Sequence, residues 1–332
     1  MQKSDRSHFL MVNGRVRREA NNLKFDRYDE DFNVISTKPL PINGLDEIYI
    51  LAKVDLDSYT MAFIADNNIL LHFFSPFQSF RGNFFPNTSN SVNKSGFVLL
   101  QQLRAFDDEI HRLYLAKQMT KGHFINGANN CKKYGVAFEV GQYLDNLEKS
   151  QTINEVMASE GAFKKNYYQA WNSIIKNQRS FKFTIRSKQP PTDKINCLIS
   201  YVNTRIYNIV LSEIYKTELD PRIGFLHEPN YRALSLHLDI AEIFKPVLGD
   251  NIIFTLLNKN EISTKDFKTD SGRIRFTNEA IKKIELKIIK KMTEQTMIGE
   301  QKLTWRQVIR REVNRIKRNV VETSEYEPFV LM

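Results

Sequence analysis

The apolar residues of the N-terminal part of the chain occur in short runs of the length of β-strands. Three such runs, at 48–51, 61–64 and 69–74, are separated by turn signals rich in Asn and Gly. Short apolar runs bounded by turn residues are typical of strands in a sheet. The pattern therefore predicts a small, mostly antiparallel N-terminal β domain over residues 1–86.

The period of the apolar positions changes further along the chain. Residues 87–95 are polar and turn-rich, which predicts a linker between domains. Beyond them apolar residues recur about every 3.6 positions, which predicts a larger all-α domain over residues 96–332. The fold class is then α+β with two domains. The first predicted helical face consists of Leu99, Leu103, Phe106, Ile110 and Leu113.

Three later helices are predicted from their capping residues. Asp193 precedes an apolar series that runs from Ile195 to Ile214, and Thr277 precedes a second. Thr304 and Gln307 have the spacing of a capping box. The core-facing residues of the last two helices are predicted to be Ile281, Ile284, Ile288, Met292, Val308, Ile309, Val313 and Ile316.

The composition indicates a cytoplasmic protein that is attracted to polyanions. No apolar run approaches the roughly 20 residues of a membrane span, the start lacks the pattern of a signal peptide, and the two cysteines form no motif. Forty-eight Lys and Arg against thirty-eight Asp and Glu give a net charge of +10. Such an excess favours nucleic acid as a partner but is also common in proteins that never bind it.

The basic excess is concentrated near the C-terminus. Residues 282–318 contain twelve Lys or Arg against four Asp or Glu. On the helix after Thr304, Arg306, Arg310 and Arg311 are predicted to bind DNA phosphates. The same pattern would also suit a solvated face, a membrane-surface helix or a docking site for a protein.

Candidate metal-binding residues occur between residues 224 and 246. Asp239 and Glu242 stand three apart in a helical pattern, so both project from one face. Two adjacent carboxylates repel each other unless a cation lies between them, and the imidazole of His227 could complete a set of ligands. The same spacing also occurs on ordinary solvated faces, so it leaves a purely structural role open.

These residues lie in two segments that resemble a family signature. Residues 219–227 (LDPRIGFLH) and 235–246 (SLHLDIAEIFKP) resemble the signature of the universal CRISPR-associated endonuclease/integrase family. Residues 159–167, with the pair Glu160-Gly161 and Tyr167, resemble its first catalytic motif. The resemblance extends from about residue 10 to 290.

The resemblance implies both an activity and a ligand set. Its metal ligands would be Glu160, His227 and Glu242, with Asp239 supporting the site and either Asp239 or Glu242 as the direct third ligand. The implied reaction joins the 3′-hydroxyl ends of short DNA fragments into a CRISPR repeat by transesterification, or cuts DNA when water replaces the hydroxyl. Oxygen-rich ligation favours magnesium, and the imidazole makes manganese the alternative. The nearby residues predicted to bind DNA are Lys164, Lys165, Tyr167, Arg232 and Lys245.

The resemblance also implies partners. The protein would form a homodimer through its β domain, in a prokaryotic cytoplasm, and a small second CRISPR-associated protein would bridge two dimers. Two alternatives stay open. One is a stand-alone metal-dependent nuclease that acts on branched or damaged DNA, and the other is a non-catalytic nucleic-acid-binding protein.

Overall fold

The computed structural model describes residues 6–75, 80–86, 96–188, 190–228, 234–270 and 273–331. The chain divides into two compact units, Met1–Lys94 and Ser95–Met332. The predicted linker, 87–95, lies outside the described residues, so its position stays a prediction. Across the described ranges, no helix is both long and apolar enough to cross a membrane.

The described residues of the first unit form two four-stranded sheets and one helix. The elements are β1 (Arg6–Leu10), β2 (Gly14–Glu19), β3 (Asn22–Tyr28), β4 (Val34–Leu40), β5 (Leu45–Ile50), β6 (Val54–Leu56), α1 (Ser58–Asp66), β7 (Leu70–Phe74) and β8 (Phe80–Phe84). One sheet has the order β1-β5-β7-β8 and the other β4-β3-β2-β6. The β2–β3, β3–β4 and β7–β8 pairs are antiparallel, whereas β1–β5, β5–β7 and β2–β6 are parallel. The predicted β domain is confirmed, and the parallel pairs are a feature that the apolar runs did not indicate.

Two of the three strands predicted in this unit are present, and the third run is a helix. The runs at 48–51 and 69–74 correspond to β5 and β7 and bury Ile48 and Leu71 completely. The prediction of a strand at 61–64 is wrong, because these residues belong to α1. The Asp57 carboxylate starts that helix by accepting a hydrogen bond from the backbone N–H of Thr60 at 2.7 Å.

The second unit is mainly helical. Its helices are α2 (Gly96–Asp107), α3 (Glu109–Lys133), α4 (Gly141–Lys149), α5 (Ile153–Ile174), α6 (Gln178–Phe181), α7 (Lys194–Tyr215), α8 (Leu236–Phe244), α9 (Asn251–Asn258), α10 (Asn278–Thr293) and α11 (Trp305–Glu322). A π-helical segment, Lys245–Asp250, joins α8 to α9, and a short 3₁₀ turn covers Thr264–Asp266. Two antiparallel hairpins pair β9 (Phe267–Asp270) with β10 (Arg273–Phe276) and β11 (Gln295–Ile298) with β12 (Gln301–Thr304). The predicted α+β architecture is confirmed.

The three helices predicted from their caps are confirmed. The Asp193 carboxylate accepts a hydrogen bond from the backbone of Asn196 at the start of α7, and Thr277 caps α10 in the same way. Thr304 and Gln307 form a reciprocal capping box at the start of α11. The apolar residues predicted to face inward on α10 and α11 are buried.

The first predicted helical face is wrong in one respect, since a break divides it between α2 and α3. The carboxylate of Asp108 caps α3 by accepting hydrogen bonds from the backbones of Ile110 and His111, each at 3.0 Å. Chain direction changes at that cap, so the apolar face does not continue across it. Ile110 is consequently 83% exposed and Leu103 39% exposed.

The C-terminal segment after α11 is extended and bonded to the helical core. The amide of Asn126, on α3, donates to the carbonyls of Ile243 and Phe329, and its oxygen accepts from the backbone of Leu331. The buried Glu312 carboxylate accepts hydrogen bonds from the Tyr326 hydroxyl and the Phe329 backbone. These contacts fix the segment against α3 and α8, the two helices that carry part of the site described below.

The packing of α3 against α5 gives a direct stability test. A Cβ added at Gly127 would lie 2.7 Å from Phe163 Cζ, whereas one added at Gly161 would meet nothing within 4 Å. We expect Gly127→Ala to lower the free energy of unfolding by about 1–3 kcal/mol through overpacking. Gly161→Ala, the matched control, should raise it by about 0.5–1 kcal/mol because alanine favours the helix. Denaturant unfolding of both variants measures this, and equal effects would contradict the packing.

Candidate metal centre

Glu160 lies on the buried face of α5. The helix starts at Thr152, whose hydroxyl accepts a hydrogen bond from the backbone of Glu155. From there, buried side chains recur every three or four residues, at Val156, Glu160, Phe163, Tyr167 and Trp171. Glu160 therefore occupies a core position in an otherwise apolar and aromatic series, and it is 8% exposed. A carboxylate at such a position requires a charged partner.

Glu242 reaches the same region from α8. It is 4% exposed, and Asp239, one turn earlier, is completely buried. The π-helical segment that follows starts at Lys245, and a local π-helix often marks a functional site because it shifts the side chains that follow it. Both carboxylates thus come from a helix whose remaining positions, apart from His237, are apolar.

The imidazole that lies beside these two glutamates is His123 of α3. One ligand atom from each of His123, Glu160 and Glu242 can be chosen so that all three lie within 4.8 Å of one another, and all three residues are buried. His123 Nδ1 lies 3.9 Å from Glu242 Oε2. Among the described residues neither atom has a hydrogen-bond partner.

Two lysines neutralise the carboxylates. Lys164 Nζ lies 2.6 Å from Glu160 Oε1 and 3.0 Å from Glu242 Oε1, and Lys245 Nζ lies 2.6 Å from Glu242 Oε1. Burial opposes ionisation of Glu242, but the two ammonium groups outweigh it and hold the pKa of Glu242 well below its usual range. Burial would likewise lower the pKa values of both lysines, and the carboxylates raise them instead. Glu242 and both lysines are therefore charged at neutral pH.

His123 is neutral in this cluster. Burial lowers its pKa to about 3, against the opposing effect of Glu242. A neutral imidazole has a free lone pair, which is the form that binds metal ions. The unpartnered Nδ1 of His123, the unpartnered Oε2 of Glu242 and the carboxylate of Glu160 are a donor set that fits a divalent cation.

His227 is held by a second network, centred on Asp239. Asp239 Oδ1 accepts hydrogen bonds from the backbone and from Nδ1 of His227, at 3.0 and 2.7 Å. Asp239 Oδ2 accepts from the backbones of Phe225 and Leu226. Gly224 is needed beside it, since a Cβ there would lie 2.8 Å from Asp239 Oδ2. The carboxylate of Asp239 is thus fully used in shaping the 224–227 loop and in orienting one imidazole.

The charge of Asp239 changes the protonation of His227. Burial would lower the pKa of His227, but the hydrogen bond and charge of Asp239, with smaller effects from Glu242 and Glu160, raise it. His227 itself is not within the 4.8 Å group that contains His123. Its Nδ1 is bonded to Asp239, so Nε2 is the nitrogen left for another ligand.

The comparisons with known proteins agree on one family. The family model for CRISPR associated protein Cas1 matches residues 9–289. The chain belongs to the Cas1 family. The CRISPR-associated endonuclease Cas1 of Clostridium perfringens is 33% identical over 334 residues, which cover 97% of this chain and 98% of the relative.

Solved structures show the fold of this Cas1 family member. A CAS1 protein from Thermotoga maritima superimposes with a TM-score of 0.86 at 28% identity and covers 98% of this chain and 100% of its own. A casposase bound to an integration product gives a TM-score of 0.84 at 18% identity, covering 96% and 92%. A chain of a Cas6-RT-Cas1–Cas2 complex gives 0.77 at 17% identity, covering 100% of this chain and 37% of its own.

The residues predicted to bind DNA near the centre have different environments in this Cas1 family member. Lys165 is exposed, and Lys164 is partly exposed beside the glutamates. Tyr167 is buried, where its hydroxyl donates to Asp250 Oδ2 and accepts from Asn130. A direct DNA contact is therefore wrong for Tyr167, which is a core residue. Arg232 lies outside the described residues.

Lys245 was also predicted to bind DNA, and the structure places it inside the centre. Its side chain is 7% exposed, and its ammonium is paired with Glu242 and hydrogen-bonded to the hydroxyl of Tyr207. Because both partners of Lys245 lie inside the centre, its positive charge faces the glutamates rather than solvent.

The arginines of α11 also differ from one another. Arg306 is 3% exposed and pairs with the completely buried Glu213 at 3.1 Å, so the prediction that it binds DNA is wrong. Arg310 also pairs with Glu213, at 2.7 Å, with a third of its side chain exposed. Arg311 is exposed and contacts Gln301. Of these three arginines, only Arg311 can meet a phosphate without breaking a buried ion pair.

Sequence reasoning missed His123 and Asp250. A signal for His123 was present, because α3 carries Thr120, His123, Asn126 and Asn130 at helical spacing on its buried face. Polar residues recurring on a core face point to a buried polar network. Asp250 has no such signal, since only the tertiary fold brings it to Tyr167. Burial raises the pKa of Asp250 to about 7.

The pair of His227 and Asp239 gives a pH-dependent test. We expect NMR titration to show a His227 pKa above its ordinary value of about 6.5, and Asp239→Asn to lower that pKa because the charge is lost. The pair's contribution to stability is then complete below about pH 6.5 and is lost as the pH rises through the raised pKa. Unfolding measured over the same pH range checks this. A His227 pKa that Asp239→Asn leaves unchanged would contradict the network.

Proposed function

We propose that this Cas1 family member is a metal-dependent DNA endonuclease and integrase that joins 3′-hydroxyl ends into a CRISPR repeat by transesterification. The observation that carries the proposal is the convergence of Glu160 and Glu242, from two different helices, beside a neutral imidazole in a buried centre. Such an oxygen-rich set suits magnesium, and its imidazole suits manganese as well.

The metal ligands in this proposal are Glu160, Glu242 and His227. His227 would bind through Nε2, because Asp239 holds Nδ1. Asp239 is a positioning residue, since both of its oxygens accept hydrogen bonds from the 225–227 segment. His123 offers a second imidazole on the buried side of the centre, through Nδ1. A bound divalent ion would stabilise the negative charge that develops on the phosphate during the reaction.

The chain's own residues supply the rest of the chemistry. The aromatic and apolar face of α5 excludes water from the inner side of the two carboxylates, which strengthens their attraction for a cation. Lys245, held by Glu242 and Tyr207, keeps a positive charge beside the position of a scissile phosphate. Lys165 is exposed one residue after Lys164 and can contact the DNA backbone.

The partners follow from the family. DNA, a homodimer formed through the β domain and a small second CRISPR-associated protein bridging two dimers are part of this proposal. The fold occurs in a complex with Cas2 and in a casposase bound to an integration product, which supports the partner protein and the DNA. The position of Lys164 and Lys165 beside the glutamates supports a DNA path over the centre.

Loss of a glutamate tests the metal-dependent reaction. We expect Glu160→Gln to reduce joining of a short duplex to a supercoiled plasmid carrying a repeat by roughly a hundredfold or more, because a charged ligand is removed. Glu155→Gln, the same change at an exposed position of the same helix, should leave joining unchanged. Wild-type protein should join strands with Mg²⁺ or Mn²⁺ and not in EDTA.

The products of that assay separate the alternatives. Covalently joined strands support the integrase, whereas cut strands alone support the stand-alone nuclease. Joining that persists in EDTA contradicts the metal-dependent mechanism. DNA binding by the wild type without joining or cutting, and unaffected by Glu160→Gln, would favour the non-catalytic nucleic-acid-binding protein.

The two environments on α11 give a separate test of DNA binding. We expect Arg311→Ala to weaken binding of duplex DNA and to reduce its salt dependence, since one phosphate contact is lost. Arg306→Ala should instead lower the free energy of unfolding by about 3 kcal/mol, because it breaks a buried ion pair. Binding titrations at several salt concentrations and denaturant unfolding distinguish the two. Unchanged DNA binding in Arg311→Ala would remove Arg311 from the DNA interface.

A further inference from the structure

A single ammonium bridges the two glutamates of the centre. Lys164 Nζ lies 2.6 Å from Glu160 Oε1 and 3.0 Å from Glu242 Oε1. Lys164 is one turn after Glu160 on α5, whereas Glu242 comes from α8. The ammonium therefore holds together two carboxylates from separate helices, which is the position that a bridging cation would take.

The formal charge of the cluster is already balanced. The two carboxylates of Glu160 and Glu242 are matched by the two ammonium groups of Lys164 and Lys245, each of which lies within 3.0 Å of a carboxylate oxygen. A divalent ion added to this arrangement would leave an excess of two positive charges in a largely buried site. Such an uncompensated charge is strongly unfavourable in a low-dielectric environment. An ammonium must therefore move away, or an anion must enter, when the ion binds.

Lys164 is the lysine that can move. Its side chain is 26% exposed, and its ion pairs are with the two glutamates. Lys245 is 7% exposed, and Tyr207 holds it twice, through a hydrogen bond from the ammonium and through the ring face at 4.4 Å. Lys164 can rotate toward solvent while the incoming ion takes over its two carboxylate partners. Lys245 would in addition have to leave Tyr207, which an ion at the glutamates does not replace.

We propose that Lys164 is a built-in counter-cation that closes the metal centre, and that its ammonium must leave Glu160 and Glu242 before a divalent ion binds. This inference rests on the proposed function, because it takes the ion to bind at these glutamates. Lys164 keeps the two helices together while the ion is absent. It also lowers the affinity for the ion, because the two cations compete for the same oxygens.

DNA binding and metal binding become coupled through the same side chain. An ammonium released from the glutamates lies at the solvent edge of the centre, where a DNA phosphate can accept it. The phosphate also supplies negative charge that the loaded centre lacks. Each ligand therefore raises the affinity for the other, and the coupling is reciprocal. In the absence of DNA the centre stays closed, which limits unwanted cleavage.

Binding of Mn²⁺ alone to the full-length protein tests the competition. We expect Lys164→Met, compared with the wild type by calorimetry and by the EPR signal of free Mn²⁺, to bind the ion roughly tenfold more tightly or better. Lys176→Met, which removes the charge of an exposed lysine just after α5, should bind Mn²⁺ as the wild type does. Glu160→Gln should weaken binding in either background.

The outcomes separate this inference from the proposed function. If Lys164→Met binds Mn²⁺ no more tightly than the wild type while Glu160→Gln weakens binding, the metal centre stands and the role of Lys164 is wrong. If Glu160→Gln has no effect on Mn²⁺ binding, the metal centre itself is wrong. Equal tightening in Lys164→Met and Lys176→Met would reduce the effect to general charge and would also overturn the inference.

Mn²⁺ titrations in the presence of duplex DNA measure the coupling between metal binding and DNA binding. We expect a short duplex to raise the Mn²⁺ affinity of the wild type more than that of Lys164→Met, because the variant has no ammonium to release. An equal gain in both proteins would contradict the coupling. Circular dichroism and thermal unfolding verify that each variant is folded, and Lys164→Gln, which keeps a polar side chain of similar length, replaces Lys164→Met if that variant fails to fold.

Discussion

The helical unit is organised around two carboxylates that are buried close together. Glu160 and Glu242 would repel each other strongly in an apolar environment, and the fold is compatible with them only if cations lie between them. Lys164 and Lys245 supply these charges within the chain. The charge pairing between α5 and α8 and the proposed binding of a metal ion are therefore governed by the same electrostatic balance.

The elements around the two carboxylates hold the neighbouring side chains in defined positions. Asp239 uses both oxygens to hold the 225–227 segment, so His227 presents one defined nitrogen. The C-terminal segment, bonded through Asn126 to α3 and α8, ties the helix of His123 to the helix of Glu242. In the proposed centre these contacts would limit how many side chains must be ordered when an ion binds, which lowers the cost of binding.

Many features of the fold could be predicted from short segments of the sequence. Caps at Asp193, Thr277 and Thr304 define helices through hydrogen bonds within four residues, and such contacts depend on the sequence nearby. The run at 61–64 was misassigned because a short apolar run suits a strand or a helix equally, and the cap at Asp57 decides between them. The division at Asp108 was missed for a similar reason, since a capping aspartate inside a periodic apolar series does not stand out.

The sequence by itself determined which residues are acidic, basic and apolar at helical spacing, and so the α+β architecture, the family signature and the candidates Glu160, Asp239 and Glu242. Only the tertiary structure decided how these candidates divide their roles. It brought His123 to the glutamates, used both Asp239 oxygens in a loop, and buried Arg306 and Tyr167. The physical reason is that capping and periodicity act over a few residues. Charge pairing and burial instead depend on which distant helices meet.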